Sequence, residues 1–397
     1  PIALFGDESL NKESLRRNLI AAEERGAIAG LSSVQFDRIA HGRILSAVSA
    51  VKLDSMRHLK SALQEMRNRV GRIPDLWDFV RFDSVDPVVL GTASENFPNL
   101  LSRALKVQWS LTPQQLRALT LLSSEVLTAK RPHDAALVQF LLQRTSATVN
   151  EIHDHLSAQG FPTTPRTAQS AVDTLTLAQH AEADINRYKM PLAHDEDGTV
   201  RLADHVVRGY ESNSEFRHAV DDLLKTARHI AAERFRGDRV FTVGRQYGRK
   251  EVARLLTWPR KWTPTIYGYR VDGPTSACPI FVTLHKSEEI SASTAYEDAI
   301  VDQRTMVWFT RSRRTLQSAE VASIVANDVD IHVFVKKDDA EGTDFYYLGQ
   351  ATASAAEQTT MPGKDGEPLP VVRMLLNFRH DIPSSLYDYF HPIVTRT

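Results

Sequence analysis

The feature that most constrains the fold is a change of hydrophobic period near residue 236. Before it, apolar residues recur at helical spacing, as they do at Phe216, Val220 and Leu223 in the segment 212–236. After it, short β-branched and aromatic runs alternate with turn residues. A helical period does not suit a strand, nor a strand period a helix. The sequence therefore predicts an α+β multidomain protein, helical first and β-rich afterwards.

The length of 397 residues allows two or three domains, each able to bury its own core. Thr112 is followed by Pro113 and Gln115, an arrangement typical of a helix start, which marks the beginning of a second module. We predict three domains: a helical region (1–110), a winged-helix-like module (111–210) and a β-barrel domain (211–397).

The module is predicted from its order of elements over residues 133–205. Helices come first, and INRYKMPLAHDEDGTVRLADH then reads as two short strands around the DEDG turn. In a winged helix the recognition helix would begin with residues whose side chains reach base edges; here these are Arg166, Thr167, Gln169 and Ser170. The alternative is that the module only joins other domains, because it lacks a dense basic surface.

The C-terminal domain is predicted from many short strands with few helices, which is typical of a small barrel or a strongly bent sheet. The polar, Pro- and Gly-rich stretch 356–370 is predicted to be a loop. The predicted strands are VFTV (240–243), TIYGYRV (265–271), PIFVTL (279–284), MVWFT (306–310), DIHVFVKK (330–337), TDFYYLGQATAS (343–354) and VVRMLLNF (371–378).

Composition and missing motifs exclude several classes of protein. The formal net charge of -1 requires any nucleic-acid site to be a local patch. The single cysteine, Cys278, excludes an internal disulfide and a cysteine-based zinc site, and fits a reducing cytoplasm. The chain has no P-loop, no C-x-x-C, no H-E-x-x-H and no carboxylate-x-Lys pair, so we expect a non-catalytic chain without metal or cofactor. A start at PIALFG, without Met, suggests a fragment of a longer protein.

A basic and aromatic neighbourhood runs from Arg234 to Lys261. It holds nine cations against only Asp238 and Glu251, with aromatic residues interleaved. Further on, Pro279–Arg314 contains two strand-like runs that each end in cations beside aromatic residues. Cations neutralise phosphates and aromatic planes stack on unpaired bases, so the pattern favours nucleic acid. The alternative for Trp258 and Trp262 is a place in the core or at a hinge.

With these residues laid out, the chain resembles a known family. The stretches that carry the likeness are QYGRKEVARLL, PIFVTL-HK, YED, W-F-T-R-S and IHVFVKKDDAEGTDFYYLG. They resemble an uncharacterised domain at the C-terminus of bacterial DEAD/DEAH-box superfamily II helicases. DSMRHLKSALQEMRNRVGRIPDLWDF resembles the helical region between the helicase core and that domain. In some members a phospholipase-D nuclease precedes the helicase, and the whole is a type IV, modification-dependent restriction enzyme.

The resemblance implies that the C-terminal domain reads modified DNA through a barrel similar to the SRA and PUA folds. It also implies a bacterial cytoplasmic protein of phage defence, whose partners are modified double-stranded DNA and helicase and nuclease domains. ATP and Mg are then expected only in an associated helicase core.

A reader of modified bases extrudes the base into a pocket, stacks it on aromatic rings and hydrogen-bonds its edge. From the residues we predict stacking by Trp308, Tyr267, Tyr269 and Tyr296, edge recognition by Asp298, and phosphate contacts by Arg245, Arg249, Lys250, Lys286, Arg311 and Arg313.

Two other functions stay open from the sequence. The barrel and the module could dock a partner protein or regulate the helicase without touching bases, which the apolar strands and the neutral net charge allow. A nuclease with an unfamiliar site is the third reading. Salt dependence separates DNA reading from protein docking, because only phosphate binding weakens steeply with added salt.

Overall fold

The computed structural model describes residues 56–235, 239–285, 298–363 and 367–391. Residues 1–55 of the predicted helical region, together with Lys286 and Tyr296, lie outside these ranges. The first unit is helical, and its α-helices are α1 Met56–Val70, α2 Leu76–Arg81, α3 Pro87–Thr92, α4 Phe97–Leu105, α5 Pro113–Leu121, α6 His133–Leu142, α7 Val149–Ala158, α8 Pro165–Thr176, α9 Glu182–Tyr188, α10 Asp204–Ser212 and α11 Ser214–Arg234.

One hydrophobic core holds this unit together. Its buried residues run from Leu59 to Ile230 without a break between separate cores. Helix α11 buries the apolar face that its period predicts, including Phe216 and Leu224, among the other helices. The cores thus divide between Ile230 and Phe241, because α11 packs with the helices that precede it, and the three domain bounds stay a prediction. No helix in the described ranges combines the length and apolarity needed to cross a membrane.

The predicted start at Thr112 is confirmed. The Thr112 hydroxyl accepts a hydrogen bond from the backbone N–H of Gln115 (3.3 Å), and the Thr112 N–H donates to the Gln115 side chain (2.8 Å). Each donor would otherwise lack a partner at the helix end. Helix α5 is followed by one π-helical turn, Leu122–Leu127, a local widening of the helix that is frequent at functional sites.

The segment 133–205 has most of the predicted elements. Helices α6, α7 and α8 precede a hairpin of β2 Ala193–Glu196 and β3 Thr199–Leu202, and β1 Ala147–Thr148 completes a three-stranded sheet in the order β1-β3-β2. The two short strands predicted around the DEDG turn are confirmed, while the start of that segment belongs to Glu182–Tyr188, a helix with acids in its first turn and Arg187 in its last. Identity as a winged helix stays a prediction.

The second unit is a curled, open sheet. Its strands are β4 Gln246–Tyr247, β5 Ala277–His285, β6 Ala299–Ile300, β7 Thr305–Phe309, β8 Asp330–Asp338, β9 Phe345–Pro362 and β10 Pro368–Phe378, and its helices are α12 Arg249–Leu255, α13 Ala319–Val325 and α14 Ser384–Phe390. The order is β5-β8-β9-β10-β7-β6, with β4 on β9 and only β5 and β8 parallel. Among the described strands β5 and β6 do not pair, so the predicted barrel is a half-barrel.

Three local predictions fail for physical reasons. TIYGYRV (265–271) makes only isolated bridges, because Gly268 takes a positive φ of 72° that breaks the extended run, and VFTV (240–243) forms bends that lead into a turn at Gly244 (φ 79°). Much of the predicted 356–370 loop is strand instead. There β9 and β10 continue as a two-stranded ribbon whose register pairs Thr360 with Pro370, and such a ribbon exposes polar residues to water without cost.

Both faces of the sheet are covered where β8 crosses it. Strand alternation sends Val333 and Val335 to one face, with α13 and α14, and Phe334 to the other. On that second face Phe334 stacks on Phe281 at 4.9 Å and meets the edge of Phe241 at 5.1 Å. The core of the second unit therefore fixes α12 against the sheet.

The two units are joined around a buried carboxylate, Glu125, in the π-helical turn. It is fully buried and accepts hydrogen bonds from Lys250 Nζ (2.7 Å), from the Tyr188 hydroxyl (2.7 Å) and from the guanidinium of Arg254. Arg254 also donates to the Glu125 backbone carbonyl (2.6 Å). A second pair supports the first: Arg131 binds Asp134 through two bonds (2.7 and 3.0 Å) and donates to the carbonyl of Arg254 (3.2 Å).

The charge state of Glu125 follows from this surrounding. Burial by itself raises the pKa of the carboxyl, but His180 and the cations of Arg254, Lys250 and Arg260 outweigh it and hold the pKa well below 4.5. The carboxylate is therefore ionised wherever the protein is folded near neutral pH.

We expect Glu125→Gln to lower the free energy of unfolding by about 3–5 kcal/mol, because it leaves Arg254 and Lys250 buried without an anion. Since the unfolded carboxyl titrates near about 4.3, the stabilisation is complete above about pH 5 and declines as the pH falls toward the folded pKa. Urea unfolding at a series of pH values measures this. The exposed Glu196→Gln is the control, and a difference between wild type and Glu125→Gln that persists undiminished at pH 3 would contradict the assignment.

Candidate nucleic-acid interface

A cleft of about 930 Å³ lies between the two units and is here called the inter-unit cleft. The helical unit supplies residues 124–130 and 230–235 to its wall, and the sheet unit supplies 245–251, 263–267 and 343–344. Four residues that the sequence singled out for DNA contact line it: Arg245, Arg249, Lys250 and Tyr267.

Arg249, the first residue of α12, is the most informative of the four. Its guanidinium carbon lies 5.2 Å from the ring centroids of both Phe281 and Phe345. It pairs with no carboxylate in the described ranges, its Nε has no hydrogen-bond partner there, and burial lowers its pKa below the ordinary value. A half-buried cation without an anion is costly unless a ligand supplies one.

Tyr267 provides an aromatic surface at the same cleft. It is 75% exposed, whereas Tyr269, two residues on, is 1% exposed. Gly268 between them takes φ 72°, so the chain does not continue as a regular strand through these two residues, and one ring is exposed while the other is buried. A large exposed ring beside an arginine can stack on a base.

The other charges of the cleft are largely neutralised within the protein. Lys130 donates to the carbonyl of Gln246 (2.5 Å) and lies 3.4 Å from Asp344. Arg234 pairs with Asp86 at 2.7 Å. Lys250 reaches the wall of the cleft, but its ammonium group is bound by Glu125. Phosphate binding by Lys250 would require breaking that bond, so we assign Lys250 to the group of charges around Glu125 that joins the two units.

The predicted aromatic pocket at Trp308 is not open in the structure. Trp308 is 3% exposed and meets Tyr269 edge to face at 5.1 Å in the core of the sheet unit. Asp298 accepts a hydrogen bond from the backbone N–H of Phe309 (2.9 Å), which holds the start of β6 against β7. Of the five predicted pocket residues, Tyr267 alone is described with an exposed ring, and Tyr296 lies outside the described ranges.

The cations after β7 bind a carboxylate of the same unit. Arg311 donates to both oxygens of Glu320 (3.0 Å each), Arg314 binds Glu320 as well, and the Tyr269 hydroxyl donates to it (2.8 Å). The positive charge predicted to hold phosphates is thus shared with Glu320. Arg313 is exposed and has a positive φ of 63° in the turn between Arg311 and Arg314.

The predicted recognition helix, α8, faces the sheet unit. Arg166 donates to the carbonyl of Pro274 (2.8 Å), and the hydroxyl of Ser170 accepts from Arg131 (3.2 Å) close to the carbonyl of Arg254. Gln169 binds Asp173 within the helix (2.9 Å), and Thr167 lies beside the capping hydroxyl of Thr164. In this arrangement the helix is an intramolecular contact, as in the alternative reading of the module.

The sequence did not single out Lys130, Asp344 or Gly248 as parts of the cleft. Lys130 and Asp344 are far apart in the chain and follow no motif, so only the fold brings them together. Gly248 carries a local signal, since it stands beside Arg249 in QYGRKE. A Cβ there would lie 2.8 Å from a Glu251 carboxylate oxygen and 2.9 Å from one of Asp344, so any larger residue would require these two side chains to move. No group of three metal-ligating side chains is found in the described part of the chain.

Two domain families of unknown function match the two units. Residues 59–236 match the domain of unknown function DUF8090, and residues 241–390 match the domain of unknown function DUF3427. The matches meet where the hydrophobic cores divide. The predicted resemblance is thus confirmed as far as an uncharacterised C-terminal domain family, while its link to helicases stays a prediction. No protein of curated function matches the chain.

Two solved structures show weak similarity. Arabidopsis thaliana SUVH6 in complex with SAM is 16% identical, over 39% of this chain and 29% of that chain, with a TM-score of 0.26. The sulfur binding domain and SRA domain of ScoMcrA, complexed with phosphorothioated DNA, are 11% identical, over 66% of this chain and 90% of that chain, with a TM-score of 0.24. This chain spans less than a third of the SUVH6 chain, and TM-scores this low assign neither fold nor function.

We expect Gly248→Ala to reshape the inter-unit cleft, because the new methyl group must displace the Glu251 and Asp344 carboxylates. The backbone at Gly248 suits alanine (φ −81°), so backbone strain does not contribute. Thermal unfolding should show a loss of about 1 kcal/mol, because the two carboxylates must move and alanine is a poorer N-cap of α12 than glycine. Gly273→Ala, which meets nothing within 4 Å, is the matched control. Equal stability of the two variants would contradict the close approach.

Proposed function

We propose that this chain is the non-catalytic DNA-recognition region of a superfamily II helicase of the modification-dependent restriction type. The inter-unit cleft takes up a modified base that has left the duplex stack. Tyr267 stacks on that base and Arg249 binds a phosphate beside it. The helicase core, with its ATP and Mg, belongs to the same or an associated polypeptide.

The observation that carries this proposal is the unpaired Arg249 in a cleft with an exposed aromatic ring. A phosphate is the anion that meets a guanidinium with two parallel hydrogen bonds, and Arg suits such recognition better than Lys. The two phenylalanine rings beside Arg249 hold its guanidinium in place through cation–π contact. A preorganised cation loses little entropy when the anion binds.

The size of the cleft supports an extruded nucleotide over an intact duplex. Its volume of about 930 Å³ falls in the range of small-ligand sites, about 300–1,000 Å³. A base must therefore leave the duplex to enter, and a modified or mismatched pair costs least to open. That the base is a modified one rests on the family resemblance, which names modified DNA as the ligand.

The first test replaces the stacking ring. We expect Tyr267→Ala to weaken binding of a duplex carrying 5-methylcytosine by about 5- to 150-fold, which is the value of one base–aromatic stack of about 1–3 kcal/mol. Fluorescence anisotropy with modified and unmodified duplexes measures it, and thermal unfolding should be unchanged because the side chain is exposed. Tyr267→Phe keeps the ring and should bind as wild type. Equal wild-type affinity for duplexes bearing any of several cytosine and adenine modifications and for the unmodified one would contradict modified-base reading.

The second test concerns the phosphate. Arg249→Gln should weaken modified and unmodified DNA alike and reduce the slope of log K against log salt by about 0.9, the value for one phosphate. The control is Arg208→Gln, an exposed arginine on α10 away from the cleft. If both variants change the slope equally, the cleft is not where the phosphate binds.

A docking function without base contacts is the second candidate, and the position of α8 favours it. Helix α8 contacts the sheet unit through Arg166 and Ser170, so the module joins two parts of one chain. A protein partner on this rigid assembly would bind with little salt dependence. The salt titration of the wild-type chain therefore separates the two functions.

A further inference from the structure

An arginine without a carboxylate partner lies on the irregular segment that also carries Tyr267. The guanidinium carbon of Arg270 is 4.2 Å from the ring centroid of Trp262, and its Nη1 donates a hydrogen bond to the hydroxyl of Thr265 (2.9 Å). In the described ranges, no Asp or Glu pairs with Arg270 and its Nη2 makes no hydrogen bond. Neither the family matches nor the contacts proposed for the inter-unit cleft account for this arrangement, here called the Trp262–Arg270 pair.

The ring under Arg270 is held in place by the core of the sheet unit. Trp262 is half-buried and meets Trp258 edge to face, with ring centroids 6.2 Å apart. Trp258 is 4% exposed, and its indole N–H donates to the hydroxyl of Thr275 (2.7 Å). A guanidinium stacked on a fixed ring is itself preorganised, so it loses little freedom when it binds an anion.

The position of the pair relative to the inter-unit cleft follows from its hydrogen bond. Arg270 donates to Thr265, which is an exposed residue. The chain neighbours of Thr265 on both sides, Pro264 and Ile266, line the inter-unit cleft. The Trp262–Arg270 pair therefore lies next to the cleft wall, on the same segment as the ring proposed to stack on a base.

Positive charge on this segment is not cancelled locally. The one acid within residues 258–276 is Asp272, which is 8% exposed and accepts hydrogen bonds from the N–H (3.1 Å) and the hydroxyl (2.6 Å) of Thr275. Lys261 is exposed, and in the described ranges neither it nor Arg270 pairs with a carboxylate. Two cations beside the cleft are thus left for an anion that a partner supplies.

We propose that the Trp262–Arg270 pair is a second nucleotide subsite, where Arg270 binds a backbone phosphate next to the base held by Tyr267. This inference rests on the proposed function, since it requires a base in the inter-unit cleft. A base that leaves the duplex stays covalently linked to both of its neighbours, so their phosphates must pass the edge of the cleft. A cation at that edge holds the opened backbone through charge-assisted hydrogen bonds, which are shorter and stronger than those between neutral groups.

The test uses the full chain and a duplex with a central mismatch, because a mismatched base leaves the stack at low cost whichever modification is read. Arg270→Gln should weaken binding about tenfold, the value of one hydrogen bond to a charged group. The slope of log K against log salt should fall by about 0.9, the value for one phosphate. Arg69→Gln is the matched control. Arg69 stacks on Phe82 at 4.1 Å and pairs with no carboxylate in the described ranges, but α1 contributes no residue to the cleft wall.

Neutral linkages then locate the contact. Methylphosphonates replace, one at a time, the phosphates on either side of the mismatched base, and fluorescence anisotropy measures the affinity of each duplex. One linkage should weaken binding by the wild-type chain about as much as Arg270→Gln does, and should have no further effect in that variant, because contacting groups are not additive. A different linkage should lose its effect in Arg249→Gln.

The outcomes separate this subsite from the proposed function. If Arg270→Gln binds as Arg69→Gln does while Tyr267→Ala is still weakened, the subsite is wrong and the proposed function stands. An acidic protein partner on this surface predicts that same result. No binding of DNA by the wild-type chain would overturn both. Should Arg270→Gln fail to fold, the linkage series in the wild-type chain decides, and the subsite is overturned if at most one neutral linkage weakens binding.

Discussion

The arrangement of this chain depends on one buried carboxylate. Glu125 belongs to the helical unit, yet two of its cations, Lys250 and Arg254, belong to a helix of the sheet unit. Removing one carboxylate and two cations from water costs several kcal/mol for each ion, and the cost is recovered only when the charges meet with good geometry. The ions are satisfied only when the units are docked, so the Glu125 cluster favours a single relative position of the two units. The inter-unit cleft exists because that position is fixed.

The same cluster explains why Arg249 is left over. Lys250 and Arg254 are four residues apart and lie on the same face of α12, toward Glu125. Arg249 precedes Lys250 by one residue and therefore lies on a different face of α12, where its guanidinium contacts the rings of Phe281 and Phe345. One short helix thus uses two of its cations to bind Glu125 and places the third, Arg249, in the wall of the inter-unit cleft. The helix period, and not the local density of charge, decides which arginine is available to a ligand.

That division shows how far the sequence could predict the structure. The change of period near residue 236 predicted a helical unit and a sheet unit, because apolar spacing is a local property that each element carries in its own residues. The partners of the charged residues were not predictable in this way. Glu125 and Arg254 are far apart in the chain, and Arg311 is neutralised by Glu320 on a later helix. Cations that cluster in the sequence are therefore mostly bound to carboxylates in the folded protein.

The aromatic residues follow a related rule. Trp308 belongs to a real strand, where alternation sends every second side chain into the core, so its burial beside Tyr269 follows from regular structure. Tyr267 is not buried in this way, because Gly268 interrupts the extended backbone. Among the described residues, the exposed aromatic side chain of Tyr267 thus comes from an irregular segment, which water and ligands can reach, and not from an apolar strand. A near-neutral chain can then still present an anion site, because no carboxylate in the described ranges pairs with Arg249.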